Sequence, residues 1–190
     1  MFKRSALAAL LISASGFALA APQTYNVDPT HTYAGYEINH MGLSLQHGLF
    51  TQVNGEVVVD TASHQGTVNV TIDANSLNTD LAARDKHLKS KDFFNVAQFP
   101  TLTFKSKSLK FSGDKLEAVQ GELTLLGVTK PVTLNVVHFS HAKNPMSGKD
   151  TYGVNAEAQI KRSDFGMTTF LPAIGDDVKL NITLEAVQAG

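Results

Sequence analysis

The chain has no cysteine and no tryptophan among its 190 residues. Without cysteine there is no disulfide staple, no thiolate nucleophile and no thiolate metal site. Charge is sparse, with Asp, Glu, Lys and Arg making up 17% of the residues and a formal net charge of −1 at pH 7. The charges are scattered rather than blocked, so there is no electrostatic footprint for nucleic acid or an anionic membrane. Beyond residue 20 no apolar run is long enough for a membrane span, so stable membrane insertion is not expected. A Gly-x-Ser-x-Gly elbow, a phosphate loop and a His-Glu-x-x-His pair are also missing, and with them the common nucleophilic, phosphoryl-transfer and metalloprotease signatures.

What is present begins with an export pattern. Lys3 and Arg4 precede an apolar run from Ala6 to Phe17, and Ala18-Leu-Ala20 fits the small-x-small cleavage rule. Residues 1–20 therefore read as a secretory signal peptide and residues 21–190 as the exported domain. That length suits one domain with a core of its own.

From residue 21 apolar and polar residues alternate repeatedly, the mark of strands with one dry and one wet face. Ala34, Tyr36, Ile38 and His40 share a face, as do Val68, Val70, Ile72 and Ala74. So do Val119, Gly121, Leu123 and Leu125, the run Tyr152 to Ile160, and Val178 to Ala186. The parity changes between Phe50 and Val53, which predicts a bulge. Gly127 to Pro131 reads as a tight connection between hairpin partners, and His141 to Asp150 as the most loop-like stretch. Arg162 to Asp177 is a long loop too apolar to be a linker, expected to pack over one end of the sheet. Eight or nine strands with short connections predict an all-β fold: an antiparallel sheet closed into a barrel, since closure removes strand edges. A sandwich is the alternative.

One stretch breaks the two-residue period. Leu81, Arg84, Asp85 and Leu88 fall at helical spacing, with Asn78 or Thr79 available to cap the start and Asp80 in the first turn. Pro100 marks the return to extended chain. Phe93, Phe94, Phe99 and Phe104 follow closely. Two readings stay open: Arg84 and Asp85 latch the loop by pairing and bonding its carbonyls, or the helix is a lid whose Arg84 and His87 meet a ligand head while its tail lies among the Phe rings.

Several runs resemble the YceI family: His31–His40 (HTYAGYEINH), Gly48–Phe50, Arg84–Leu88 with Asp92–Phe94, Phe99–Phe104, Gly121–Pro131 and Lys161–Gly166. They occur in the family's order and span nearly the whole exported domain. The resemblance implies an extended lipocalin-like antiparallel barrel of about eight strands, exported to the bacterial periplasm, whose interior holds a polyisoprenoid chain such as an isoprenoid quinone tail. Tyr36 stands where that family usually has Phe, placing a hydroxyl near the interior that needs a partner.

The inward-facing residues are mixed in size. Small ones, Ala34, Ala74, Ala156, Ala158, Gly55 and Gly121, leave room, and near-absence of charge makes that room apolar. The expected tail site comprises Tyr36, Ile38, Phe50, Phe93, Phe94, Phe99, Phe104, Leu123, Leu125, Val154, Ala156 and Phe165; the expected head-group residues are Arg84 and His87. A pyrophosphate would call for several converging cations, and only Arg84 stands on the helix face, which favours a quinone or neutral lipid. The expected function is non-catalytic binding, storage or transport of an isoprenoid lipid, with no cofactor and no metal. His40/His47 and His138/His141 lack a recognised ligand pattern. The alternatives are a filled barrel acting through its surface and, more remotely, an enzyme with His87 as general base and Arg84 as electrophile. Pairing of two chains along a strand edge is left open.

Overall fold

A computed structural model describes residues 21–190; the signal-peptide reading of residues 1–20 lies outside them. Period-two alternation produces eleven strand segments: β1 (Gln23–Val27), β2 (Tyr33–His40), β3 (Ser44–Phe50), β4 (Val53–Asp60), β5 (Gln65–Asp73), β6 (Leu77–Asn78), β7 (Thr101–Ser112), β8 (Lys115–Leu125), β9 (Val128–Lys143), β10 (Asp150–Lys161) and β11 (Ile174–Gln188). They form a single sheet in the order β1-β4-β5-β7-β8-β9-β10-β11-β2-β3-β6. All pairings are antiparallel, and β1 also pairs with β11, which closes an eight-stranded barrel.

Eleven segments make eight staves because three staves are broken, the third being β5 and β6, which pair with β4 and β3 in turn. β1 and β2 lie end to end along β11, with Tyr25 opposite Gln188 and Tyr36 opposite Leu180. β3 and β4 follow them in the same way, pairing with β2 and β1. The parity change between Phe50 and Val53 is thus a break rather than a bulge: Thr51 and Gln52 leave the ladder, and both Phe50 and Val53 point into the core. True register shifts occur elsewhere, in β7–β8, in β9–β10 at Asn155/Ala156 and in β11–β2 between Ile174 and Val178.

Other boundaries also move. The connection read at residues 127–131 is a two-residue turn at Leu126-Gly127, both with positive φ (52° and 73°), the mirror-image turn that matches strand twist. Val128 to Pro131 already belong to β9. The loop read at residues 141–150 shrinks to 144–149, since β9 runs to Lys143 and β10 starts at Asp150. The long loop at residues 162–177 opens with a 3-10 turn, Arg162–Phe165, and ends where β11 begins at Ile174.

At one end of the barrel the wall is not all sheet. β3 has only the two-residue β6 as a further neighbour, Leu49 opposite Asn78 and Phe50 opposite Leu77. The panel between β3 and β7 is filled by α1 (Ala82–Leu88) and the Phe-rich turns after it. The helix is seven residues, shorter than its spacing suggested, and no side chain caps it. Asp80 has a positive φ, and Asn78 bonds the Asp80 N–H instead of the helix.

The interior divides in two. The larger core spans Phe50, Ile72, Leu77, Phe93, Leu102, Phe104, Leu123 and Phe165. A smaller cluster, Tyr25, Val27, Val57, Val59, Tyr152 and Ala186, plugs the opposite end, sharing Val68, Val70 and Phe139 with the first.

Candidate functional site: an apolar chamber with a basic mouth

Between the plug and the α1 panel lies a cavity of about 570 Å³. That falls within the usual range for small-molecule sites. The barrel is therefore not filled by its own side chains, which sets aside the filled-barrel alternative. Its body is made of aliphatic and aromatic groups from nearly every stave, among them Phe50, Val70, Phe104, Leu123, Leu134, Leu180 and Ile182.

Of the residues expected around a tail, Tyr36, Ile38, Phe50, Phe93, Phe94, Phe104, Leu123 and Leu125 line this cavity, and so do Arg84 and His87. Phe50 meets Phe94 edge-on at 5.2 Å between centroids, and Tyr36 lies 6.4 Å from Phe50. Phe99, Val154, Ala156 and Phe165 do not line it. Phe99 covers the tight turn, where a Cβ on Gly127 would come within 2.9 Å of its ring. Val154 sits opposite Phe139 and Leu184, at the level of the plug. Ala156 is buried but short, and its larger cross-strand neighbours Ile182 and Val136 screen it. Phe165 is buried beside a separate cleft with Pro131 and Lys161.

The mouth is polar on one side only. Arg84 donates from Nε to the Thr79 hydroxyl (2.8 Å), from Nη1 to Gln46 Oε1 (2.9 Å) and from Nη2 to the Thr79 carbonyl. Asp85 accepts from both the backbone N–H and the hydroxyl of Thr79. The latch reading is thus partly realised: Arg84 and Asp85 both grip Thr79 without forming an ion pair with each other. Arg84 also faces the cavity, so the two readings of the helix are compatible. His87 stacks edge-on to Phe93 (5.2 Å) and lies 3.6 Å from Asp92.

Sequence reasoning missed Arg162, which is 2% exposed and lines the cavity. It donates to the carbonyls of Gly175 (2.8 Å), Met167 (3.0 Å) and Ile174 (2.9 Å), pinning the loop that ends β10. Burial lowers its affinity for its proton, an effect that nearby Asp176 opposes. An Arg inside a run resembling a family motif was the available signal, but nothing in the spacing said which way it pointed. His40, Gln46, His47 and Phe170 complete the mouth. His47 lies 3.8 Å from Glu37.

Tyr36 supplies the hydroxyl that the sequence said needed a partner. No protein partner is present among the described hydrogen bonds, and the side chain lines the cavity. Burial pushes its pKa up to about 12, with Arg84 opposing and Asp85 reinforcing the shift, so it stays protonated and able to donate. Room for the ring comes from Gly48, where a Cβ would lie 2.5 Å from it.

Chemically, the arrangement is a solvent for hydrocarbon with a donor-rich entrance. Among the described residues, those lining the cavity include no Asp, Glu, Ser, Thr or Lys. His87 lies 3.6 Å from Asp92, the kind of pair a general base uses, and Tyr36, His40 and His47 are further lining residues with reactive side-chain atoms. Outside the barrel, Asp28, His31 and Glu185 bring one potential metal-ligand atom each within 4.8 Å of one another. His31 and Asp28 are there bonded to each other (2.8 Å) and to Thr30.

Comparison with known proteins fixes the lineage. The family described as a YceI-like domain matches residues 25–186. The chain belongs to the YceI family. Protein YceI of Salmonella arizonae is 42% identical over 183 residues, covering 96% of this chain and 94% of that one. Among solved structures, Burkholderia cenocepacia BcnA superposes with a TM-score of 0.72 at 25% identity, covering 84% of this chain and 98% of BcnA. The YCEI protein of Campylobacter jejuni gives 0.66 at 32% identity, covering 80% and 90%. A domain from Saccharophagus degradans described as polyisoprenoid-binding shares the YceI-like barrel, with a TM-score of 0.65 at 19% identity over 88% of this chain and 99% of that domain.

Proposed function

We propose that this YceI-family barrel is a non-catalytic carrier or store for an isoprenoid lipid, a polyprenyl chain or an isoprenoid quinone, working in the periplasm after export. The observation that carries the reading is the chamber of about 570 Å³ with apolar walls. Burial of each CH₂ contributes about 0.8 kcal/mol, so a five-carbon isoprene unit contributes roughly 2–4 kcal/mol gross. A few units therefore reach micromolar affinity, which needs about −8 kcal/mol net of ordering costs. The export pattern at residues 1–20 and the family membership support the compartment. No helix among the described residues is long and apolar enough to cross a membrane, which suits a carrier that releases from one, although it says nothing of strands.

The test is native mass spectrometry of the protein purified from the periplasm without detergent, followed by organic extraction. A co-purifying species with successive isoprene losses is expected. A clean apo mass that persists after incubation with long-chain quinones and prenols would overturn the reading.

A further inference from the structure

The residues at the mouth carry information about the ligand's head that the tail chamber does not. Arg84 and Arg162 both line the cavity, and neither has a carboxylate within ion-pair distance. Nearby acids have other direct partners: Asp85 bonds Thr79, Asp176 bonds Ser163, Glu37 lies 3.8 Å from His47 and Asp92 3.6 Å from His87. Each guanidinium has five N–H groups, of which three are used on neutral oxygens in each case. Two N–H groups per arginine remain. The hydroxyl of Tyr36, unpartnered among the described hydrogen bonds, lies in the same field.

Asp85 and Asp176 lie near the two guanidinium groups, but each arginine's direct partners are neutral oxygens, and a charge at the edge of an apolar chamber is costly unless an anion completes it. Such donors make short, charge-assisted bonds to carboxylate or phosphate oxygens. A quinone carbonyl would accept a hydrogen bond but bring no charge to either guanidinium. Among the described residues no carboxylate lines the cavity itself.

We infer that the head group of the bound lipid is an oxyanion, a carboxylate or a phosphate on a long apolar chain, held by Arg84 and Tyr36 in the field of Arg162. This rests on the carrier reading and reverses the sequence-based preference for a neutral head, because the second cation was not visible in the sequence.

The test compares ligands that differ only at the head: farnesyl phosphate against farnesol, and oleate against oleyl alcohol, titrated into the apo protein. Each anion is expected to bind at least tenfold more tightly than its alcohol. In Arg84→Met the gap between anion and alcohol should shrink below about threefold. Tyr36→Phe, which leaves the Thr79 latch intact, should narrow the gap by itself and guards against misfolding of the first variant. If only one anion shows the gap, that identifies a carboxylate or a phosphate as the head. Alcohols that bind as tightly as the anions would overturn this inference and leave the carrier reading standing. Failure of all four ligands to bind would overturn both.

Discussion

At the scale of single residues, the turn that joins the two halves of the first stave is set by Asp28. Thr30 and His31 bond its two oxygens. Bonds from Thr30, then from His31, hold its carboxyl at about 2 against an ordinary 3.8. His31 is pushed above its ordinary 6.5, first by the bond it donates to Asp28. Asp28 therefore contributes stability above its unfolded pKa and loses it as pH falls towards 2. His31 contributes below 6.5 and loses it as pH rises through its raised folded value. Both act together only between about pH 4 and 6.5. The melting-temperature gap between the native protein and Asp28→Asn should peak there and shrink below pH 3 and above pH 8; thermal unfolding across a pH series checks it, and a flat gap would rule it out.

At the scale of elements, α1 is held from below. Thr79, 6% exposed, receives Arg84 on its carbonyl and hydroxyl and gives its N–H and hydroxyl to Asp85. Thr79→Val keeps the backbone partners and removes the hydroxyl, so a cost of about 1–2 kcal/mol is expected. Hydrogen exchange should accelerate in residues 81–96 while β8 to β10 stay protected, because the panel and the sheet share few backbone bonds. The helix was legible from Leu81, Arg84, Asp85 and Leu88, yet its cap was not: helical spacing predicts a donor-satisfying side chain at the start, whereas Asp85 reaches back to satisfy Thr79. Strand faces were legible throughout for the opposite reason, since alternation depends only on which side of a pleat is dry. Which inward residue touches the cavity was less so. Ala156 shares a face with Ile160, but only the longer side chain reaches past its neighbours. Arg162 was out of reach because a loop has no period from which to read direction.

At the scale of the whole molecule, the depth of the chamber is set by the plug. Tyr25 and Tyr152 meet edge-on at 4.8 Å, His141 stacks on Tyr152 at 4.1 Å, and the Tyr25 hydroxyl and His141 Nε2 both bond Asp150 Oδ2 at 2.7 Å. Burial followed by the Asp150 bond pushes the Tyr25 pKa up, so its hydroxyl remains a donor. Val70 lies where the plug and the chamber overlap. Val70→Phe should shorten the chamber: in a tail-length series the longest tails should weaken at least tenfold while short ones bind as before, with overpacking costing about 1–3 kcal/mol. No weakening at any length would mean that the chain does not reach this depth. Among the described residues Phe170 and Met41 are exposed and line the chamber at the end away from the plug, so on the carrier reading a tail enters and leaves past them. On that proposed reading, whatever receives the lipid would engage its head before any of its hydrocarbon is exposed, so delivery would be a hand-over that begins with recognition and ends with solvation of the tail.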